Sequence, residues 1–389
     1  MKKENVRSRN RVRAALLAMA WLGVALSVSP PAGAAKPTPN LNSAVCAAIS
    51  GQWAWPSCTI PEGSNGVASA DFKIVKPNVL LVRGSLTVDA GVTITNAGSI
   101  VIENSGGVIP VDFGDGLMVG VLIRGTLDNA GSITLQNVSP GTAGIATVVS
   151  VTPNDPPAPN PFRVAPGVLT NSGVIAIQNA GETQGINNLG SLNNAESGVI
   201  VAANSLTGSV GVRNRRDASL GSQYYIVGAL TNAGGITTAN TGDGGSRGIS
   251  NSGAFVNAAT GTFTIGASSV SDVLAYGFRN NGSFTNFGTF INNRGVFNLD
   301  LAADSTWGSY NLGVMINYGK TLVGTSASHA GTFQNEGLML NLGEITSYGT
   351  FNDMTGSMVN LGTFYNYWLI NGGGNLGICV DQPGSLGGC

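Results

Sequence analysis

Along most of this chain, apolar residues alternate with polar or small ones over short runs, and turn-forming residues separate the runs. In Val79–Val108, Leu86, Val88, Val92, Ile94, Ile100 and Ile102 recur with the period-two spacing of half-buried strands. No comparable stretch sustains a helical period. The runs are rich in Ile, Val, Leu, Phe and Thr, which suit a pleated surface. One motif punctuates them: Asn-x-Gly-x-apolar starts at Asn96, Asn104, Asn129, Asn171, Asn188, Asn232, Asn251, Asn280, Asn286, Asn293, Asn311, Asn335, Asn341 and Asn360. Fourteen copies make repetition, not any single motif, the determinant of architecture.

Asn and Gly take a positive φ most readily, so the motif reads as a tight bend feeding a short strand. The spacings of 17 residues (Asn171 to Asn188) and 19 residues (Asn232 to Asn251, Asn341 to Asn360) match one coil of a β-solenoid. Within Phe278–Leu299, spacings of 6 and 7 mark successive sides of one coil. The expectation is an all-β parallel solenoid of roughly 15 coils, about 70 Å long at a strand spacing of about 4.8 Å. Its core is apolar, and its corner asparagines form hydrogen-bonded ladders. A hydrophobic content of 42% with only 10% charged residues argues against a disordered Gly/Asn-rich chain.

From Phe255 onward the apolar position after the bend turns aromatic: Phe255, Phe263, Phe278, Phe284, Phe290, Phe297, Phe333, Phe351 and Phe364 are expected to form an internal ladder. In the segment 364–368, alternation sets Phe364 and Trp368 on one side and Tyr365 and Tyr367 on the other. Tyr365 and Tyr367, with Tyr224 and Tyr225 in a second irregular segment, are the candidate glycan contacts.

The ends differ from this pattern. Residues 1–34 read as a signal peptide, with six basic residues, an apolar Ala14–Ser29 run and a small-x-small site at Ala32-Gly33-Ala34. Without them, 13 Lys+Arg stand against 19 Asp+Glu, a net charge of −6. Such a surface predicts no nucleic-acid partner, and Arg213-Asn214-Arg215-Arg216 reads as a solvated corner. No later run is long and apolar enough for a membrane helix. Residues 35–78 are read as a linker and N-terminal cap, 79–378 as the β-helix, and 379–389 as a C-terminal cap. Four cysteines allow three pairings. Cys46–Cys58 and Cys379–Cys389 are the simplest, since a long solenoid holds its ends apart, and each would shield an exposed terminal coil. Trp53 and Trp55 are expected over the first coil. Thr152–Gly167 holds six prolines and cannot be a central strand, so a loop at 152–167 is expected at a corner.

The opening coil LTVDAGVTITNAGSI, the cysteine cap and the Asn-x-Gly repeats resemble exported bacterial β-helix proteins of the adhesin and autotransporter-passenger type. The resemblance covers roughly residues 46–379. It implies a right-handed parallel β-helix with a role in adhesion, aggregation or matrix structure, contacting polysaccharide or surface protein. Self-association through solenoid ends is a further expectation. An autotransporter closes with a membrane barrel of alternating strands about 10 residues long, and the chain to Cys389 shows none.

The chemistry is sparse. His329 is the one histidine, so a His-based triad would depend on it alone. The best carboxylate set is Asp112 and Asp115, with Asp128 one repeat later, which suits a polysaccharide lyase or hydrolase needing paired acids. Asp beside Gly is also ordinary turn chemistry. No metal or cofactor is expected, and a non-enzymatic scaffold is the leading reading.

Overall fold

The computed structural model describes residues 37–104, 118–137, 141–153, 162–179, 183–204, 208–217, 226–240, 247–266, 276–293, 309–324, 332–353, 357–367, 369–372 and 378–381. From Thr38 onward the chain forms one compact unit. It is a parallel β-solenoid with three faces. Among the described residues face I has fourteen strands, face II twelve and face III eleven, and the chain visits them in that order coil after coil up to Leu369–Gly372 on face II, the next described strand being Ile378–Asp381 on face I. The first strand of face I, Gln52–Ala54, is antiparallel to Ser57–Ile60; the other thirteen run parallel. At about 4.8 Å per strand that stack stands about 58 Å tall.

The alternation seen in the sequence sets which side chains face in. In Thr126–Asn129, Leu127 and Asn129 are buried while Thr126 and Asp128 face out, and most four-residue strands repeat this pattern. In-register pairing stacks each inward residue on its equivalent. On face III the column runs Ile94, Leu127, Leu169, Leu192, Leu230, Phe255, Phe284, Met315, Met339, Met358. Each fully buried side chain of this size contributes roughly 1.5–3 kcal/mol of transfer free energy.

The asparagine ladders are present, two of them among the described residues. At the corner from face III to face I, ten residues form one chain: Asn96, Asn129, Asn171, Asn194, Asn232, Asn257, Asn286, Asn317, Asn341 and Asn360. Each Nδ2 donates to the Oδ1 one coil further on, at 2.7–2.8 Å. A second ladder at the corner from face II to face III joins Asn188, Asn214, Asn251, Asn280, Asn311 and Asn335 over the same distances. Thr147 Oγ1 donates to Asn188 Oδ1 at its foot. These amides are buried, and each ladder turns an otherwise costly group into a satisfied one.

The motif's glycine has a different role from the one its sequence suggests. No Asn-x-Gly glycine in the described residues has a positive φ, and the asparagines end strands rather than occupying a left-handed turn. What excludes a side chain is the coil beneath. A Cβ on Gly131 would lie 2.2 Å from the Gly98 carbonyl oxygen, and one on Gly173 would lie 2.1 Å from that of Gly131. The bend is tight because backbones stack at the corner, and only glycine leaves room.

Coil length also departs from expectation. Along the long ladder, successive rungs are 19 to 42 residues apart. Asn171 and Asn188 lie on different ladders, as do Asn232 and Asn251, so the 17-residue and the first 19-residue spacing are each less than a coil. The described residues hold thirteen parallel levels on face I, against the roughly fifteen coils expected. In Phe278–Leu299 the three sides are real, but Asn292, not Asn293, ends the face I strand and is buried.

Eight of the nine predicted phenylalanines are buried; Phe297 lies outside the described residues. They form short stacks instead of one ladder: Phe263 on Phe290 (5.1 Å, 18°) and Phe333 on Phe351 (5.0 Å, 1°). Rings from different faces also meet edge-on across the narrow core, as Phe278 and Phe263 do at 5.3 Å and 86°. Once rings fill the core from three sides, the face III column continues in pliable methionine.

At the N-terminal end a helix, Ser43–Ala48, is capped by Asn42, whose side chain accepts from the Val45 N–H at 3.0 Å. Cys46 on this helix is bonded to Cys58 on the first parallel strand of face I. Trp53 packs against the core, whereas Trp55 is 74% exposed and does not. The Cys379–Cys389 pairing lies outside the described residues. The proline-rich segment is more ordered at its base than a loop: Val149–Pro153 pairs antiparallel with Phe162–Pro166 as a separate ribbon at the corner from face II to face III. Pro153 and Pro166 sit at strand ends, where a missing N–H is tolerated. A second ribbon, Arg216–Asp217 with Ile226–Val227, leaves the same corner two coils later.

Candidate functional site

Two aromatic rows, one half-buried and one exposed, border the last coils of face I, and both arise from the residue after the buried corner. At the corner from face I to face II, Tyr348 and Tyr367 occupy equivalent places one coil apart. Their amides donate to Val323 O and Ser347 O, at 2.8 Å each, and their rings stack at 4.5 Å and 27°. Desolvation, and after it the Tyr348 phenol, push the Tyr367 phenol above its ordinary value, so it remains a neutral O–H at physiological pH. At the opposite corner, the x of Asn-x-Gly is small in the early coils (Ala97, Ala130, Ser172). It becomes Phe287, Tyr318, Leu342 and Leu361 in the last four, all exposed. Phe287 and Tyr318 stack at 4.8 Å and 8°.

Tyr365 stands between the rows. Phe364 and Asn366 are buried in the strand Thr363–Asn366, so Tyr365 faces out, in register with Thr346. From Leu361 to Tyr367 the surface spans about 20 Å at about 3.3 Å per residue. Lys320 and Glu344 bridge neighbouring strands on it at 3.4 Å. Around the corner, outward positions of face III turn apolar in the same coils: Val314, Ile316, Leu338, Leu340 and Val359. Tyr224, Tyr225 and Trp368 lie outside the described residues.

Of the carboxylate constellation, Asp128 alone is among the described residues. Asp128 faces out from face III, in register between Thr95 and Thr170. Asp112 and Asp115 lie outside the described residues, in the segment 105–117 that joins face I to face II. His329 is also outside them. Among the described residues no group of three or more His, Cys, Asp or Glu is placed to hold a metal, and no helix is long and apolar enough to cross a membrane.

The outer side of face II was not legible as a site from the sequence. One outward column lies just before each rung of the second ladder: Asn187, Arg213, Ser250, Arg279, Tyr310 and Gln334, in register on successive strands. Arg247 stands at the start of the middle strand. Arg213 therefore faces out from face II, Asn214 is a buried rung and Arg216 begins a ribbon, so the run read as one solvated corner divides among three environments. On the two preceding strands the outward positions are apolar and buried; Val119, Leu122, Ala143, Ala146 and Val148 form a second small core. Asn187, at the boundary, is 1% exposed, and neither its Nδ2 nor its Oδ1 has a hydrogen-bond partner. Tyr310 Oη donates to Glu336 Oε2 at 2.9 Å. Numbering each repeat from its buried asparagine and reading one position back would have exposed this column.

In comparison with known proteins the chain matches no protein-family model and no curated protein sequence, so its function has to be argued from these surfaces.

Proposed function

We propose that this chain is an exported, non-enzymatic solenoid scaffold of the adhesin or matrix kind, which contacts glycans through the aromatic surface over the last coils of face I. The observation that carries it is the pair of stacks at the two corners of face I, Phe287–Tyr318 at one and, on the next two coils, Tyr348–Tyr367 at the other, with Tyr365 facing out beside the second. Pyranose rings present flat arrays of C–H groups, which pack on aromatic faces while phenol hydroxyls meet sugar hydroxyls. Rings already stacked on one another lose little freedom on binding. The amino-terminal signal pattern and the Cys46–Cys58 disulfide support an oxidising, exported setting.

Retention of the labelled chain on a panel of immobilised polysaccharides tests this. The expected result is selective retention that leaves polymer length unchanged and is lost in Tyr365→Ala and Tyr367→Ala. Shortening of the polymer would instead favour a lyase or hydrolase acting through the Asp112–Asp128 region. Retention by proteins alone would assign the apolar corner to a protein partner.

A further inference from the structure

We propose that the outer side of face II, from Asn187 to Arg279, is a second binding site, for an acidic polysaccharide of the polyuronate class. It is independent of the aromatic surface on face I. Four successive strands build it: Gln184–Asn188, Val210–Asn214, Arg247–Asn251 and Tyr276–Asn280. Their outward register positions supply Arg213, Arg247 and Arg279 and no carboxylate. With Arg215 and Arg216 at the adjoining corner, five of the 13 basic residues beyond the signal pattern fall within three successive coils. In a chain of net −6 this concentration is not a background of composition.

Geometry narrows the ligand. Arg213 and Arg279 are two strands apart, about 9.6 Å along the solenoid axis, close to the separation of alternate sugars in an extended glycan. Arg247 lies on the strand between them, three residues before Ser250, so the cations form a triangle rather than a line. The three arginines are half-buried and each has an interaction within the chain, and the planar guanidinium fork matches a carboxylate in geometry and charge. Asn187 is the second, independent observation. A buried amide with both polar atoms unpaired is costly, and it sits on the strand next to Arg213, where the apolar outer positions give way to polar ones. Single-stranded nucleic acid is the competitor to set against it, because Tyr310 follows Arg279 in the same column. A protein partner would lack an apolar anchor.

The test is binding of the full chain to hyaluronate and alginate, with dextran and single-stranded DNA as comparators, at low and high salt. The expected result is binding of the two acidic glycans that weakens at least tenfold with salt, as charge-assisted contacts do. Arg213→Gln and Arg279→Gln should each weaken it about tenfold, Arg213→Lys much less, and Arg83→Gln on face I not at all. Bound hyaluronate should also shield face II arginines from an arginine-selective reagent, a readout that needs no variant to fold. Equal binding by the Gln variants, preference for DNA, or no acidic-glycan binding with unshielded arginines would overturn the proposal. Retention of neutral glycans through Tyr365 and Tyr367 would survive that failure, so the two sites are judged separately.

Discussion

Replacing Asn257 by alanine tests whether the ladder is a structural element or a by-product of repetition. Asn257 is fully buried, and its Nδ2 donates to Asn286 Oδ1 at 2.8 Å and approaches the Gly261 and Thr289 carbonyls at 3.1 Å. Its Oδ1 accepts from Asn232 Nδ2 at 2.8 Å. Alanine therefore takes a partner from buried groups on both neighbouring coils. Each group left short costs about 1–3 kcal/mol, so the change should destabilise this level by about 4 kcal/mol. Asn96 is the first rung, in register below with Ile74, and has an asparagine neighbour on one side only. Asn96→Ala should cost about half as much. A solenoid opens locally, so native-state hydrogen exchange is a better probe than a global midpoint. Amides of Ala254–Asn257 and Thr262–Ile265 should exchange about 10³-fold faster in Asn257→Ala, since about 1.4 kcal/mol corresponds to a factor of ten. Acceleration below tenfold, or equal effects at the interior and first rungs, would refute the reasoning.

Gly131→Ala should destabilise by about 1–3 kcal/mol, because its Cβ would lie 2.2 Å from the Gly98 carbonyl oxygen. Gly235→Ala, with nothing within 4 Å and no positive φ, should be neutral or stabilising by up to about 1 kcal/mol; paired urea melts compare the two. Phe284→Ala should cost about 3–5 kcal/mol by the same measurement, as the ring touches Phe255 at 4.9 Å and Phe278 at 5.0 Å. Because the Tyr367 phenol is raised from 10.0, the unfolded chain releases that proton first as pH rises. Stability should therefore fall above pH 10, and Tyr367→Phe should remove that part of the pH dependence in alkaline melts.

Alternation and motif recurrence made the fold legible. Leu86, Val88, Val92, Ile94, Ile100 and Ile102 are all buried as the period-two pattern requires, and the corner asparagines do form ladders. What was misread was local cause and count. Positive φ is a property of one residue, whereas the Gly131 constraint comes from a coil 33 residues earlier, which propensity cannot reveal. The motif also marks more than one corner per coil, so its spacing shortens the apparent period. Tyr365 was found because alternation within one strand suffices to place it. The Tyr348–Tyr367 stack and the face II column need register across coils, and register follows from loops of unequal length.

The most direct test of the glycan-contact reading compares three tyrosine variants against whichever polysaccharide the chain retains. Tyr367→Ala and Tyr318→Ala each remove half of a ring stack bordering face I, whereas Tyr310→Ala removes a phenol on face II bonded to Glu336. The account predicts that the first two weaken binding at least tenfold, the loss expected when a packed contact aromatic is truncated, while Tyr310→Ala leaves binding to a neutral glycan unchanged. Undiminished affinity in Tyr367→Ala and Tyr318→Ala, or an equal loss in all three, would contradict it.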